Sequence, residues 1–321
     1  MTAIVGILNK KGIAIAADSA STLSNNKIIN SGNKMLRLSN ILPAAVMVVN
    51  NSTLADMPWE VIIRWYRKEK GQTKFETLQA CIDDFMDFVN HEALSREDIG
   101  SETCYFDERR NPDKKDVTTH LVFTGYGESE TMPTICEYCV YGIDKRKIMY
   151  KRCEGYIITS PEKDVTIYSQ GQFKIIKSYI QGVIDEYVNK LIEGHINIFM
   201  KLNDRLPYQF LSTEIVLSNK QSSLPIGTIR TRMNEVVSKC QKESEQEWLK
   251  AVKDYNLQEM ASLAENLIKA TELHKKIINE AEEVGGLIDL AVITKNDGFQ
   301  WLNRKSWYDP SRGGQYGKFG I

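Results

Sequence analysis

Residues 1–22 of the chain, MTAIVGILNKKGIAIAADSAST, contain two short apolar segments at positions 2–8 and 13–18. The turn-like sequence NKKG separates them. Two apolar segments joined by such a turn predict a β-hairpin. Thr2 then lies at the beginning of the first strand, and Asp18 lies at the end of the second.

Thr2 directly follows the initiator methionine. Its side chain is small enough for methionine aminopeptidase to remove Met1, which would leave Thr2 with a free α-amine beside its own hydroxyl. An adjacent amine that acts as a base is one way to activate a weak oxygen nucleophile. With a pKa of about 7.7 to 8.0, such an amine is partly neutral at pH 7 and can accept the hydroxyl proton. Thr2 is therefore a candidate nucleophile.

Lys34 and Asp18 are the candidates to assist Thr2. A lysine ammonium disfavours a second charge on the α-amine and stabilises a developing alkoxide. Asp18 would pair with Lys34 and keep it charged. Their spacing alone favours ordinary solvated surface groups, because an aspartate at a strand end and a lysine after a turn are usually exposed.

The composition is typical of an ordinary globular protein. The 321 residues are 42% hydrophobic and carry 41 basic and 42 acidic side chains, for a net charge of −1. The chain therefore lacks the excess of basic residues that is typical of nucleic-acid-binding proteins. No apolar run reaches the roughly 18 residues of a membrane helix, and the N-terminus resembles no secretory signal. We expect a cytoplasmic protein that binds neither nucleic acid nor membrane.

Six cysteines and four histidines are scattered along the chain. Cys136 and Cys139 lie within TICEYCVYGI, whose β-branched and aromatic residues predict a strand. Positions three apart on a strand point to opposite faces, and no second pair of residues stands at zinc-ligand spacing. We therefore expect no metal, no other cofactor and no histidine base.

The rest of the chain predicts alternating groups of strands and helices. Two amphipathic helices follow the strand PAAVMVVNN, four strand-like segments follow a polar stretch at 95–117, and further helices lead to a closing hairpin. Loops as long as 95–117 are uncommon in compact domains and are functional lids or disordered segments. Two antiparallel sheets between helical layers would bury every apolar face of this series.

Four segments make up the predicted domain organisation. Residues 1–204 form the first part of a core, and residues 258–305 complete it with a last helix and the closing strands. Residues 205–257 form a helical insertion that contains apolar residues at helical spacing. Residues 306–321 form a tail rich in glycine and aromatic residues, which is mobile or docks on a neighbour.

Three pieces of the sequence, taken together, resemble a known family. They are Thr2 in TAIVGI, Asp18 in IAIAADSAST and Lys34 in INSGNKMLRL, with 16 residues from the threonine to the aspartate and 16 more to the lysine. In this combination the chain resembles the N-terminal-nucleophile (Ntn) hydrolases of the proteasome β-subunit and HslV type. The resemblance extends over about residues 2–190 and 258–303.

The resemblance implies an α+β fold, namely a four-layer αββα sandwich with a helical insertion. It also implies a threonine-type peptidase in which Thr2 is the nucleophile and its α-amine is the base. Lys34 would tune both groups, and Asp18 would hold Lys34. Peptide bonds would be cleaved through an acyl-enzyme ester on the Thr2 oxygen.

Two further site positions depart from the family pattern. The family holds the oxyanion with the backbone N–H of a glycine, whereas this chain has Val46 and Met47 on the matching strand. We expect the backbone at these two residues to supply the oxyanion donors. The family also has a serine between two glycines before the helix that here begins at Phe173, and this chain reads SQG from Ser169. Either Ser169 assists proton transfer from one position away, or that role is lost.

The resemblance also implies partners. We expect a homo-oligomer, either a ring or an assembly of dimers, that acts on peptide or protein substrates, and an ATP-dependent unfoldase as partner is left open. Two alternatives to the peptidase stay open as well. The same nucleophile would serve an Ntn amidohydrolase acting on a small amide, or the chain is a catalytically silent scaffold whose added helices form an interaction surface.

Overall fold

The computed structural model describes the chain over ten stretches. They are residues 2–22, 28–29, 32–95, 104–105, 118–153, 165–171, 173–182, 188–197, 226–277 and 284–305. The predicted tail at 306–321 lies outside the described residues. The same is true of the first part of the predicted insertion and of nearly all of the polar stretch at 95–117.

Fifteen strands and seven helical segments occur within the described residues. The strands are β1 (Ala3–Asn9), β2 (Gly12–Ala17), β3 (Ser21–Thr22), β4 (Ile28–Ile29), β5 (Met35–Arg37), β6 (Ala44–Asn50), β7 (Thr53–Leu54), β8 (Met57–Pro58), β9 (Cys104–Tyr105), β10 (Thr119–Gly125), β11 (Thr134–Asp144), β12 (Lys147–Arg152), β13 (Val165–Gly171), β14 (Asp289–Thr294) and β15 (Gly298–Asn303). The helices are α1 (Trp59–Lys70), α2 (Leu78–Phe88) with a π-helical turn (Val89–Ala93), α3 (Phe173–Gln181), α4 (188–197), α5 (Ile226–Asp254) and α6 (Leu257–Ile277). In these stretches no helix has the length and apolar character needed to cross a membrane.

The predicted N-terminal hairpin forms the centre of the first sheet. β1 and β2 pair antiparallel, with Ile4 opposite Ala17. β13 joins β1 on one side, and the closing hairpin of β14 and β15 joins β2 on the other, in the order β13-β1-β2-β14-β15. Every residue of β1 and β2 is buried, as expected for interior strands of a sheet covered on both faces.

The second sheet contains the strand predicted from PAAVMVVNN. Its order is β12-β11-β10-β6-β5, with β9 also paired to β11, and all of its pairs are antiparallel. β6 therefore lies inside the sheet, with β5 on one side and β10 on the other. This position explains its nearly continuous apolar sequence.

The two sheets share one hydrophobic core and carry helices on their other faces. The shared core includes residues of both sheets, among them Ile4, Ile13, Ile293, Met47, Val122 and Ile135. Helices α1 and α2 pack on the far side of the second sheet, where the Trp59 indole N–H donates to Thr119 Oγ1 at 3.2 Å. Helix α6 packs on β1, β2 and β14 of the first sheet. The predicted mixture of α and β structure with antiparallel sheets is confirmed.

The chain divides into two compact units. The first comprises Met1–Phe173 and Val252–Ile321, and the second comprises Lys174–Ala251. Within the second unit, apolar residues of α4 pack with Met233 and Val237 of α5. The predicted insertion at 205–257 stays a prediction. Its predicted start lies outside the described residues.

Helix α1 offers a matched test of the helical layer. Ile62 is 0% exposed, whereas its neighbour Val61 is 49% exposed. We predict that Ile62→Ala lowers the free energy of unfolding by about 2–5 kcal/mol, because it leaves a cavity in the core. Val61→Ala should change it by about 0.5 kcal/mol or less. Urea denaturation measures both values, and equal losses would contradict the packing of α1.

Candidate active site

The N-terminal hairpin brings the ends of its two strands together. Thr2 immediately precedes β1, and Asp18 immediately follows β2. The Asp18 N–H donates to the Ala3 carbonyl at 3.1 Å, which extends the hairpin by one more hydrogen bond. Thr2 is 4% exposed and Asp18 is 0% exposed. The hairpin therefore places the predicted nucleophile and the predicted acid side by side at the buried open end of the hairpin.

The Asp18 carboxylate joins four parts of the chain. Its Oδ1 accepts hydrogen bonds from Lys34 Nζ at 2.7 Å and from the Ala3 N–H at 2.8 Å. Its Oδ2 accepts hydrogen bonds from the N–H groups of Ala20 at 3.2 Å and Gly285 at 3.4 Å. A buried carboxylate is stable only when it has such partners. The predicted pairing of Asp18 with Lys34 is present.

Lys34 reaches this carboxylate from the second sheet. It directly precedes β5, and its carbonyl accepts a hydrogen bond from the Val48 N–H at 2.8 Å. Lys34 is 6% exposed. The Lys34 ammonium and the Ala3 N–H both donate to Asp18 Oδ1. The ammonium therefore lies within two hydrogen-bond lengths of the backbone nitrogen of Ala3, the residue that follows Thr2. The two sheets thus contribute a threonine, an aspartate and a lysine to one buried region.

Burial shifts the pKa values of this ion pair. It lowers the pKa of the Lys34 ammonium, an effect that Asp18 opposes and the nearby charge of Lys305 reinforces. It raises the pKa of the Asp18 carboxyl, against the effect of Lys34 and of the backbone donors. Both shifts arise because a charged group loses its water on burial. Perturbed groups of this kind are common at sites that transfer protons.

A second buried ion pair, which none of the sequence patterns above predicts, lies near the first. Lys305 Nζ donates to Asp289 Oδ2 at 2.9 Å, and the Lys305 N–H donates to Oδ1 at 3.0 Å. Asp289 pairs with Ala17, the residue before Asp18, and Lys305 Nζ also donates to the carbonyl of Gly32. The available sequence signal was an aspartate within the apolar segment LIDLAVI. Its partner is set by the register of the closing hairpin.

Gly171 supports Thr2 from the other side of β1. It is the last residue of β13 and pairs with Ala3. A Cβ atom at this position would lie 1.8 Å from the carbonyl oxygen of Thr2, and the φ angle is +84°. Only glycine permits both this backbone conformation and this approach. The Gly171 N–H donates in turn to Gln170 Oε1 at 3.1 Å.

Ser169 is not brought to this region. It pairs with Val5, three positions along β1 from Thr2, which corresponds to about 10 Å of strand. Neighbouring residues of a strand point to opposite faces, so Ser169 and Gln170 also face different ways. The predicted role of Ser169 in proton transfer stays a prediction, and no hydrogen bond among the described residues supports it.

Val46 and Met47 lie in the interior of β6. Both residues pair with β5 on one side and with β10 on the other. The N–H groups of an interior strand are taken up by the hydrogen bonds of the sheet. The Val46 side chain packs in the core beneath the helices, and the Met47 side chain packs between the sheets. Their predicted role as oxyanion donors stays a prediction, which the strand pairing disfavours.

Comparison with solved structures finds proteins called Anbu. An Anbu (Gly-1) mutant from Hyphomicrobium sp. strain MC1 has a TM-score of 0.44 and 14% identity, covering 95% of this chain and 86% of that chain. A second Anbu structure from that organism has the same TM-score of 0.44 and 14% identity, covering 94% and 86%. Anbu (ancestral beta-subunit) from Yersinia bercovieri has a TM-score of 0.41 and 12% identity, covering 96% and 89%. No protein-family model and no curated protein matches the chain.

These findings correct the family assigned from the sequence. Membership of the Ntn hydrolases of the proteasome β-subunit and HslV type was wrong, because no family model matches and the structures above are of Anbu. Their TM-scores of 0.41 to 0.44 are too low to support an argument about activity. The assignment depended on three residues, their spacing and the order of the segments that follow them.

Removal of the Asp18 charge tests the buried ion pair. We predict that Asp18→Asn lowers the free energy of unfolding by about 3–5 kcal/mol, because the Lys34 ammonium then stays buried without its counter-charge. The double variant Asp18→Asn/Lys34→Met removes both charges and should lose less stability than the two single variants summed. Urea denaturation of the four proteins measures this coupling. Strictly additive losses would contradict the pairing.

Proposed function

We propose that the protein is a threonine-type amide hydrolase whose nucleophile is Thr2, after removal of Met1. The observation that carries this proposal is the shared Oδ1 of Asp18, which accepts from both the Lys34 ammonium and the Ala3 N–H. Through this oxygen a buried cation is held close to the beginning of β1. An oxygen nucleophile beside an amine is activated when such a cation stabilises its alkoxide.

The proposed reaction uses the α-amine of Thr2 as its base. The amine accepts the proton of Thr2 Oγ1, and the oxygen attacks the carbonyl carbon of the substrate amide. The protonated amine then gives this proton to the leaving nitrogen, so the C–N bond breaks and an ester forms on Thr2. A water molecule, deprotonated by the same amine, hydrolyses the ester and restores the threonine hydroxyl.

Lys34 has two roles in this proposal. Its ammonium stabilises the alkoxide of Thr2 and, as a neighbouring positive charge, lowers the pKa of the α-amine below its ordinary value of about 7.7 to 8.0. Asp18 supplies the counter-charge that keeps Lys34 protonated in a buried place. Lys305 donates to the carbonyl of Gly32, two residues before Lys34, and thereby anchors the segment that carries the ammonium.

Peptide bonds are the proposed substrates, and a homo-oligomer is the proposed assembly. The residues beside Thr2, Ala3 and Asp18, are both 0% exposed, so an extended or small substrate reaches this site more easily than the surface of a folded protein does. An ATP-dependent unfoldase would supply such an extended chain. A small-molecule amide is the second candidate substrate, because it satisfies the same requirement for access.

Labelling with an electrophile tests the nucleophile. We predict that the purified protein has the mass of the chain without Met1, and that an epoxyketone adds its mass once per chain. Thr2→Ala should not be labelled, because it lacks the hydroxyl. Thr2→Ser is the matched control and should be labelled, because it keeps a hydroxyl beside the amine. Intact-protein mass spectrometry measures all three.

Uniform retention of Met1, or equal labelling of Thr2→Ala, would overturn the proposal. Turnover assays then distinguish the substrates. Hydrolysis of unfolded casein supports the peptidase, whereas hydrolysis of short acyl amides without cleavage of casein supports the small-amide hydrolase. A protein that keeps Met1 and hydrolyses neither is a catalytically silent scaffold.

The pH dependence tests the role of Lys34. We predict a bell-shaped profile of kcat/KM, which rises as the α-amine of Thr2 loses its proton and falls as the Lys34 ammonium loses its own. Burial lowers the pKa of Lys34, so the falling limb should lie below the ordinary lysine value of 10.5. The arginine of the Lys34→Arg variant stays charged at high pH. The falling limb of the activity that this variant retains should therefore move to higher pH. An unchanged falling limb would contradict the assignment.

A further inference from the structure

Three residues with metal-binding side chains meet on neighbouring strands of the second sheet. They are His120 on β10, Glu137 on β11 and Cys153, which directly follows β12. One ligand atom from each lies within 4.8 Å of the other two. Glu137 is 1% exposed, and the other two are partly buried. We call these three residues the HEC cluster.

The pairing of the strands holds the HEC cluster in place. His120 pairs with Cys139, which lies two residues beyond Glu137 on the same face of β11. The Cys153 N–H donates to the Glu137 carbonyl at 2.9 Å, so Cys153 continues the register of β12. The three side chains therefore project from one rigid face of the sheet, a geometry that suits a metal site.

Hydrogen bonds already orient the side chains of the HEC cluster. Glu137 Oε2 accepts from the Tyr168 hydroxyl at 2.9 Å, and Oε1 accepts from Gln170 Nε2 at 2.7 Å and is in contact with His120 Nδ1. His120 Nε2 lies 3.4 Å from Thr118 Oγ1. In metal sites, partners of this kind orient the ligating carboxylate and fix the tautomer of the histidine.

We propose that the HEC cluster binds a zinc ion through His120 Nδ1, Glu137 Oε1 and Cys153 Sγ. A tetrahedral zinc ion, with Zn–S of about 2.3 Å and Zn–O of about 2.0 Å, separates its sulfur and oxygen ligands by about 3.5 Å. Cys153 Sγ and Glu137 Oε1 are 3.5 Å apart. In the same geometry His120 Nδ1 and Glu137 Oε1 are about 3.3 Å apart, so the imidazole has to move away from the carboxylate when zinc binds.

The protons and charges of this site balance. Zinc displaces the thiol proton of Cys153, which leaves the protein, and His120 carries its remaining proton on Nε2, where it donates to Thr118 Oγ1. One carboxylate and one thiolate then neutralise the two charges of the ion. A neutral assembly is far easier to bury than a single carboxylate charge. A thiolate, an imidazole and a carboxylate together also favour zinc over magnesium or calcium.

The fourth position of a tetrahedral ion is left to a water molecule, because the ligand atoms that lie within 4.8 Å of one another come from His120, Glu137 and Cys153 alone among the described residues. Such a site would cross-link β10, β11 and the end of β12, next to Tyr168 and Gln170 of β13, which donate to Glu137.

Metal analysis and cobalt substitution test this proposal independently of any enzymatic activity. We expect about one zinc ion per chain in full-length protein produced with added zinc. After removal of zinc by a chelator, Co²⁺ should restore a tetrahedral visible spectrum with a thiolate-to-cobalt charge-transfer band. Cys153→Ser should weaken zinc binding by more than about 100-fold, because loss of even an outer partner of a ligand costs about 10- to 100-fold.

Two cysteines serve as controls. Cys136 lies on the same strand as Glu137 but packs in the core on the opposite face, and Cys240 is exposed on α5. Cys136→Ser and Cys240→Ser should keep the zinc content and the cobalt spectrum of the parent protein.

Two results would overturn the zinc site as a whole. The first is wild-type protein with only trace metal that gives no tetrahedral cobalt spectrum, which would make the HEC cluster a metal-free hydrogen-bonded cluster. The second is a cobalt spectrum that Cys153→Ser leaves unchanged. Both results are independent of labelling at Thr2, so failure of this proposal is distinguishable from failure of the proposed hydrolase.

Discussion

One buried carboxylate organises the end of the molecule where the chain begins. Asp18 loses its water on burial, and this cost is offset only because four donors converge on its two oxygens. The donors come from β1, from the segment after β2, from the segment before β5 and from the segment before β14. The Asp18 carboxylate therefore links the first sheet to the lysine that precedes the second.

The layers around this carboxylate make its interactions strong. Both sheets contribute to a shared apolar core, and helices cover their other faces. Water is excluded from such a core, so charges interact more strongly there than at the surface, and an unpaired charge is also more costly. This explains why the second lysine of the region, Lys305, has its own buried partner in Asp289.

Strand β13 connects the N-terminal region with the HEC cluster. Gly171 contacts the Thr2 carbonyl, and its N–H donates to Gln170, whose amide nitrogen donates to Glu137. Gly171 and Gln170 thus connect the Thr2 carbonyl to Glu137 of the HEC cluster.

The sequence alone was sufficient to predict the hairpin, the interior strand β6 and the amphipathic helices. These features depend on local periodicity and on turn residues, which are visible within a short window. The HEC cluster, the Asp289–Lys305 pair and the distance of Ser169 from Thr2 were decided by the tertiary structure, because each depends on the register between strands far apart in the chain. The family assignment failed for a related reason, since three matching positions and the order of the downstream segments leave the packing of the whole chain unspecified.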